Sequence, residues 1–208
     1  MTVITNYDEL QAEVISWLHR PEQVDNVTGW IALAENQFNR IIRTVDMETR
    51  SQATADNEFL GLPTDWMEIR ELHIVDSLKY PLKYYTPQAF TYESRLGATG
   101  DPQIYTIIDD QIRLFPAPSA TSTFTFEITY LQRIPALTDS NTTNWLLDNN
   151  ADVYLYGALV RAEPFLINDN RVPMWKAMLA EAINELNVAS GKTRIGAGPL
   201  APRVRNVV

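Results

Sequence analysis

Residues 123–131, TFTFEITYL, alternate without a fault. Phe124, Phe126, Ile128 and Tyr130 point one way, and Thr123, Thr125, Glu127 and Thr129 point the other. Successive strand side chains face opposite sides of a sheet, so this stretch predicts a half-buried antiparallel strand. Its neighbours on the N-terminal side agree. Residues 103–116, QIYTIIDDQIRLFP, predict a hairpin, 104–108 against 112–115, turning at Asp109-Asp110. Residues 67–75 form an extended run with β-branched members. Asp76-Ser77 then reads as a turn and residues 82–85 as a short return strand. Thr86 and Pro87 have the chemistry of a helix cap and first helical position, opening a short helix through Phe90 and Tyr92. Residues 97–102 read as a loop.

Outside this β-rich middle the period changes to that of helices. A first helix is predicted over residues 6–19, with Asn6 and Glu9 at capping-box spacing and an apolar stripe of Tyr7, Leu10, Val14, Trp17 and Leu18. Pro21 stops it. A second is predicted over residues 26–45, with Trp30, Leu33, Ala34, Phe38, Ile41 and Val45 as its stripe. Helices resume near Asn149, where Val153, Tyr156, Leu159, Val160 and Phe165 make a third stripe that Pro164 kinks or shortens. Residues 170–189 form the fourth, on Trp175, Met178, Leu179, Ala182, Ile183 and Leu186, with Gly191 as its stop. Four amphipathic helices must bury their stripes on one another. The fold class that follows is α+β. A four-helix bundle-like domain, discontinuous over residues 1–50 and 137–191, receives an inserted antiparallel β-rich module, residues 51–136. An extended C-terminal arm, residues 192–208, completes the chain.

Composition narrows the chemistry. The chain has 208 residues and no cysteine, which removes disulfides, thiolate metal sites and thiol nucleophiles. No run of about 18 apolar residues is present, so no membrane partner is expected. Residues 1–8 lack the basic segment and apolar core of a signal peptide, so synthesis and use in the cytoplasm is expected. The net charge is −9. The arm contributes Lys192, Arg194, Arg203 and Arg205 with no acid, leaving −13 on the rest. A body this acidic repels phosphate, whereas a nucleic-acid-gripping protein needs a basic surface. His19 and His73 stand at no catalytic or metal-ligand spacing. The SGKT of residues 190–193 lacks the phosphate-loop glycine, because Leu186 stands in its place, and a helix precedes it instead of following. Asp109, Asp110, Asp148 and Asp152 have ordinary roles in a turn and at a helix start. We therefore expect no catalytic residue, no metal, no cofactor and no enzymatic activity. Trp17, Trp30 and Trp175 fall on helix stripes and are expected in the core. Trp66, Tyr84, Tyr85, Trp145 and Tyr154 lie at element edges and are expected as inter-subunit aromatics.

Several segments then follow in a telling order. They are LPTDWMEIREL at 62–72, PLKYYTPQAF at 81–90, YTIIDDQIRLFPAP at 105–118, ITYLQRIPALTDSNTTNWLLDNNADVYLYGAL at 128–159, and the Trp175 helix. Together they resemble the head-to-tail adaptor (connector) proteins of tailed phages, over nearly the whole chain. None of these segments is a catalytic motif. The resemblance implies a virion structural protein at the head-tail junction. It implies a homo-oligomeric ring, usually dodecameric, beneath the portal protein. Such a ring extends the DNA channel, through which genomic DNA passes without specific binding, and provides the docking platform for a downstream tail or nozzle protein. It also implies that the arm reaches the portal or a neighbouring subunit through Lys192, Arg194, Ile195, Pro199, Leu200, Pro202, Arg203, Val204, Arg205, Val207 and Val208. The alternatives are another head-tail completion or tail ring protein, such as a stopper or tail terminator, and at more distance a hydrolase.

Overall fold

A computed structural model describes residues 3–76, 80–119, 122–165 and 170–195. The chain divides into two compact units. One comprises Met1–Asp46 and Ile134–Val208, and the other comprises Met47–Arg133. The first is helical and the second is built mainly of strands, so the fold is α+β.

In the helical unit, α1 (Tyr7–Leu18) begins where Asn6 accepts the Glu9 N–H at 2.9 Å. The Glu9 carboxylate does not return to Asn6, as a capping box would have it. It takes the Thr5 N–H and hydroxyl, both at 2.7 Å, one residue further out. The helix ends before Pro21, with His19 in the left-handed region as its cap. Pro21 opens a single 3-10 turn that leads into α2 (Val24–Ile41). The buried face of α2 is Val27, Trp30, Ile31, Ala34, Glu35 and Phe38. Leu33 (53% exposed) and Ile41 (42%) are turned outward, contrary to the expected stripe. The helix also stops short of Val45, because the chain turns extended at Ile42.

The expected third helix is two. A short α4 (Trp145–Asn149) is capped by the Asn144 side chain, and α5 (Ala151–Arg161) follows after a break at Asn150. Helix α5 packs against α1, α2 and α6 (Val172–Ile195), and α1 packs on α2. Val153, Tyr154, Leu155, Gly157, Ala158 and Leu159 are all buried, so α5 is covered on most of its circumference. That is why a single-face stripe misread it: Tyr156 and Val160 are half-buried and Phe165 is exposed. Pro164 lies in a 3-10 turn after α5 and so shortens that helix instead of kinking it. Helix α6 (Val172–Ile195) continues through Gly191, which does not end it. The residues from 192 to 195 are therefore helical and not part of an extended arm. The remaining arm positions, Pro199, Leu200, Pro202, Arg203, Val204, Arg205, Val207 and Val208, lie outside the described residues, as does Ser77 of the expected turn.

The strand unit holds, among the described residues, two four-stranded sheets. One is ordered β1 (Glu48–Ala55), β8 (Phe124–Gln132), β3 (Trp66–Ile74), β4 (Tyr80–Pro81). The other is ordered β2 (Phe59–Gly61), β7 (Gln111–Phe115), β6 (Ile104–Ile108), β5 (Lys83–Tyr84). They share a core of Ala55, Leu60, Leu72, Ile74, Leu82, Tyr105, Ile112, Leu114, Phe126, Ile128 and Tyr130. Strand β8 runs up the middle of its sheet with Phe126, Ile128 and Tyr130 buried, as its alternation predicts. The β6–β7 hairpin turns where expected, with Asp109 at φ 54°, a conformation that Asp tolerates. Thr86 caps α3 (Pro87–Ser94) by accepting from the Ala89 N–H.

Two features depart from expectation. The predicted return strand is split at Leu82. Its own N–H reaches Leu72 of the first sheet at 2.8 Å, while the next, that of Lys83, reaches Gln103, just before β6 of the second, at 3.0 Å. The module is also not wholly antiparallel. Strand β5 runs parallel to β6, since α3 and the loop after it carry the chain back before β6 begins.

Candidate functional site

The buried polar groups of the helical unit come from three places in the sequence. Glu35 lies on the inner face of α2, Asn144 caps α4, and Tyr154 sits one turn into α5. Glu35 Oε1 accepts from the Leu137 N–H at 2.8 Å and from the Tyr154 hydroxyl at 3.1 Å. Asn144 Nδ2 donates to the Tyr154 oxygen and to the Pro135 carbonyl, each at 2.7 Å, while its Oδ1 accepts from the Leu147 N–H. Burial holds the Glu35 carboxyl above the usual range, against the two donors that pull it down. Burial also raises the Tyr154 phenol, and the neighbouring Glu35 charge raises it further. Enclosed and hydrogen-bonded to one another, these groups tie helix to helix and offer nothing to solvent.

Tyr154 is therefore a correction to the expected surface aromatics: it is fully buried and its hydroxyl is used inside the unit. Tyr84 is 53% exposed and meets Tyr105 edge-on at 5.6 Å. Tyr85 is half-buried beside it. Trp66 is half-buried, with its indole Nε1 3.4 Å from Asp110 Oδ1 at the hairpin turn. Trp145 opens α4 half-buried, with its indole nitrogen enclosed and unbonded. Trp30 and Trp175 are in the core as expected, but Trp17 is only half-buried and donates to Glu13 at 3.0 Å.

His19 is an exposed helix cap, and His73 lies on β3 with Nε2 3.5 Å from Glu127. Among the described residues no group of three His, Asp or Glu side chains is placed to hold a metal, and no helix is long and apolar enough to cross a membrane. A groove of about 620 Å³ in the strand unit is lined by Tyr80, Lys83, Tyr85, Glu93, Asp101 and Phe115, among others. What the strand unit does present is exposed apolar surface: Phe59, Tyr84, Tyr92, Leu96 and Ile108 are all turned to solvent. Arg95 lies over the Tyr92 ring at 4.3 Å. Exposed aromatic and Arg side chains in this mixture are the composition of a protein–protein interface.

Sequence reasoning missed Glu35 and Asn144. Glu35 had a signal, since it follows Ala34 directly and stands four residues after Ile31 on the buried face. Asn144 had one too, three residues before the N–H it caps. Comparison with known proteins gives one family: a model described as SU10 adaptor protein matches residues 5–203. No curated protein matches the chain.

Proposed function

The chain belongs to the SU10 adaptor protein family, and from that premise we propose that it is a head-to-tail adaptor of a tailed-phage particle. It forms a ring beneath the portal, extends the DNA channel and gives the tail or nozzle its docking platform. The observation that carries this reading is the match over residues 5–203, which takes in both compact units. The long helices α1, α2, α5 and α6 act as the bundle-like domain, and the strand unit is the inserted module. The exposed Tyr84, Tyr92, Phe59 and Leu96 support a role in contact with protein. Nothing in this function requires catalysis or a cofactor. The acidic body lets DNA pass without being held, since duplex DNA carries about one negative charge per 1.7 Å.

Two measurements test it. Virions should contain this chain at about a dozen copies, as the dodecameric ring of this reading requires. The purified protein mixed with its portal should give an added ring on the portal in negative-stain images. Absence from the particle, or portal images unchanged by the protein, overturns the reading.

A further inference from the structure

Two helix faces of the helical unit are exposed, partly apolar and opposite in charge. The first is the outer side of α2. Its buried side is complete without Leu33 and Ile41, which stand in solvent. Gly29, Ala32, Asn36 and Arg40 are exposed with them. A Cβ at Gly29 would meet nothing within 4 Å. Arg40 is held along the helix, its Nε donating to the Asn36 carbonyl at 3.1 Å. Arg161 of α5 brings a second guanidinium to the edge of this face, where its Nη2 donates to Gln37. From Asn26 to Val45 the single acid is Glu35, and it is buried on the inner side. The outer side of α2 is therefore positive.

The second is the outer side of α6. Trp175, Leu179, Ile183 and Leu186 are buried, whereas Met174 is 47% and Val188 49% exposed. Ala177, Glu181, Asn184 and Glu185 are exposed as well. From Ala177 to Gly191 there are two acids, Glu181 and Glu185, and no base. Lys176, just before, is drawn to Glu163 at 2.7 Å. This face is therefore negative.

Single exposed apolar residues are ordinary, but these two sets share a spacing. Residues seven apart drift by only about 20° around a helix. Leu33 and Arg40 form such a line on α2, and Glu181 and Val188 form one on α6. Laid antiparallel, Leu33 meets Val188 and Arg40 meets Glu181, with Asn36 beside Glu185 and Ala32 beside Ala189. Gly29, Ala32 and Ala189 keep bulk low, so the axes can approach to the usual separation of about 8–10 Å. We propose that the outer side of α2 in one copy packs antiparallel on the outer side of α6 in the next, with Leu33 on Val188 and Arg40 paired to Glu181. The two faces belong to different helices, so each copy gives one and receives the other, the head-to-tail contact that closes a ring. The proposal rests on the ring reading above and names the surfaces that join the copies.

The chain has no cysteine, so introduced pairs can be trapped selectively. A Leu33→Cys chain is mixed with a Val188→Cys chain, oxidised over a concentration series and run on non-reducing gels. The mixture should give a strong two-chain band that neither chain gives alone. Leu33→Cys mixed with Glu93→Cys, on α3 of the strand unit, should not give it. Adding Arg40→Glu to the Leu33→Cys chain should weaken the band about tenfold, because two acids then face each other. Adding Glu181→Arg to the Val188→Cys chain as well should restore it, which separates a lost charge pair from a lost fold. A band no stronger than the Glu93→Cys control overturns the proposal. So does an equal band from the Leu33→Cys chain alone, which would set α2 on α2, or a stronger one with Met174→Cys than with Val188→Cys. A charge reversal that Glu181→Arg does not restore overturns it too. The test uses the purified chain without portal, so portal images unchanged by the protein would sink the adaptor reading and leave the trapping result standing.

Discussion

Glu35 and Gly157 show how much two positions govern in the helical unit. Glu35 is enclosed without a cation, so its folded-state pKa lies above the ordinary 4.5. The folded state then binds its proton more tightly than the unfolded state does. The stability this proton contributes is complete below about pH 4.5 and is lost as the pH rises through the raised value. Glu35→Gln keeps an oxygen for Leu137 and Tyr154 and does not titrate. The stability advantage of the natural chain over this variant should therefore shrink as the pH rises above about 4.5. Melts of both proteins across that range check it, and a constant difference would sink it. Glu9, held low by Thr5, acts in the opposite direction but is common to both proteins and cancels. At Gly157 a Cβ would stand 2.5 Å from Phe38 Cζ and 3.1 Å from Ala34 Cβ. Phe38 is itself fully buried and set edge-on against Tyr154 at 5.3 Å. Alanine improves helix propensity by about 1 kcal/mol, but forcing a methyl into a filled core costs about 1–3 kcal/mol. Gly157→Ala should lower the melting temperature, and Phe38→Leu in the same chain should restore part of the loss. A Gly157→Ala chain that melts higher than the natural one would mean that α2 and α5 do not approach this closely.

At the scale of elements, legibility followed how each element is buried. Strand β8 could be read residue by residue because one face is in the core and the other is not. The hairpin and the Thr86-Pro87 helix start were legible because turns and caps have local chemistry. Strand β1 was invisible: ETRSQATA buries only Ala55 fully, so it has no apolar alternation and is a strand by pairing with β8 alone. Helix α5 failed for the opposite reason, being covered on most sides. Helix α2 was found, and its stripe was right at Trp30, Ala34 and Phe38 but wrong at Leu33 and Ile41, which are as apolar as the buried Val27 and Ile31. Gly191 was read as a stop although Ser190, beside it, is buried and accepts the Val45 N–H at 2.8 Å. That long-range bond holds the helix where local propensity would end it. The surface candidates were legible only in part. Tyr84 stands exposed, whereas Tyr154 is drawn into a network whose other members lie 10 and 119 residues away in the sequence.

For the whole molecule, the question is whether the helical unit needs the strand unit to fold. The sequence placed module boundaries at 50/51 and 136/137, and the compact units divide at 46/47 and 133/134. Every bond of the Glu35–Tyr154–Asn144 network lies inside the helical unit. So do the bonds that fix its two cut ends: the Val45 N–H on Ser190, and the Ile134 N–H on Asn39 at 2.9 Å. The long arm-side helix is anchored there as well, with the Arg43 N–H on Asn187. A unit with its own core, whose buried Glu35 network and both cut ends are bonded within it, has what an independent domain needs. Replacing residues 47–133 by a short Gly/Ser linker should therefore leave a protein with a helical circular-dichroism spectrum and one cooperative thermal transition. Glu35→Gln in the excised chain should change the pH dependence of that transition in the same direction as in the full chain. Both outcomes follow if α1, α2, α5 and α6 are held by contacts among themselves. A broad, non-cooperative melt would mean instead that the helices depend on the strand unit for their packing, and that the continuous chain, not the unit, is what folds.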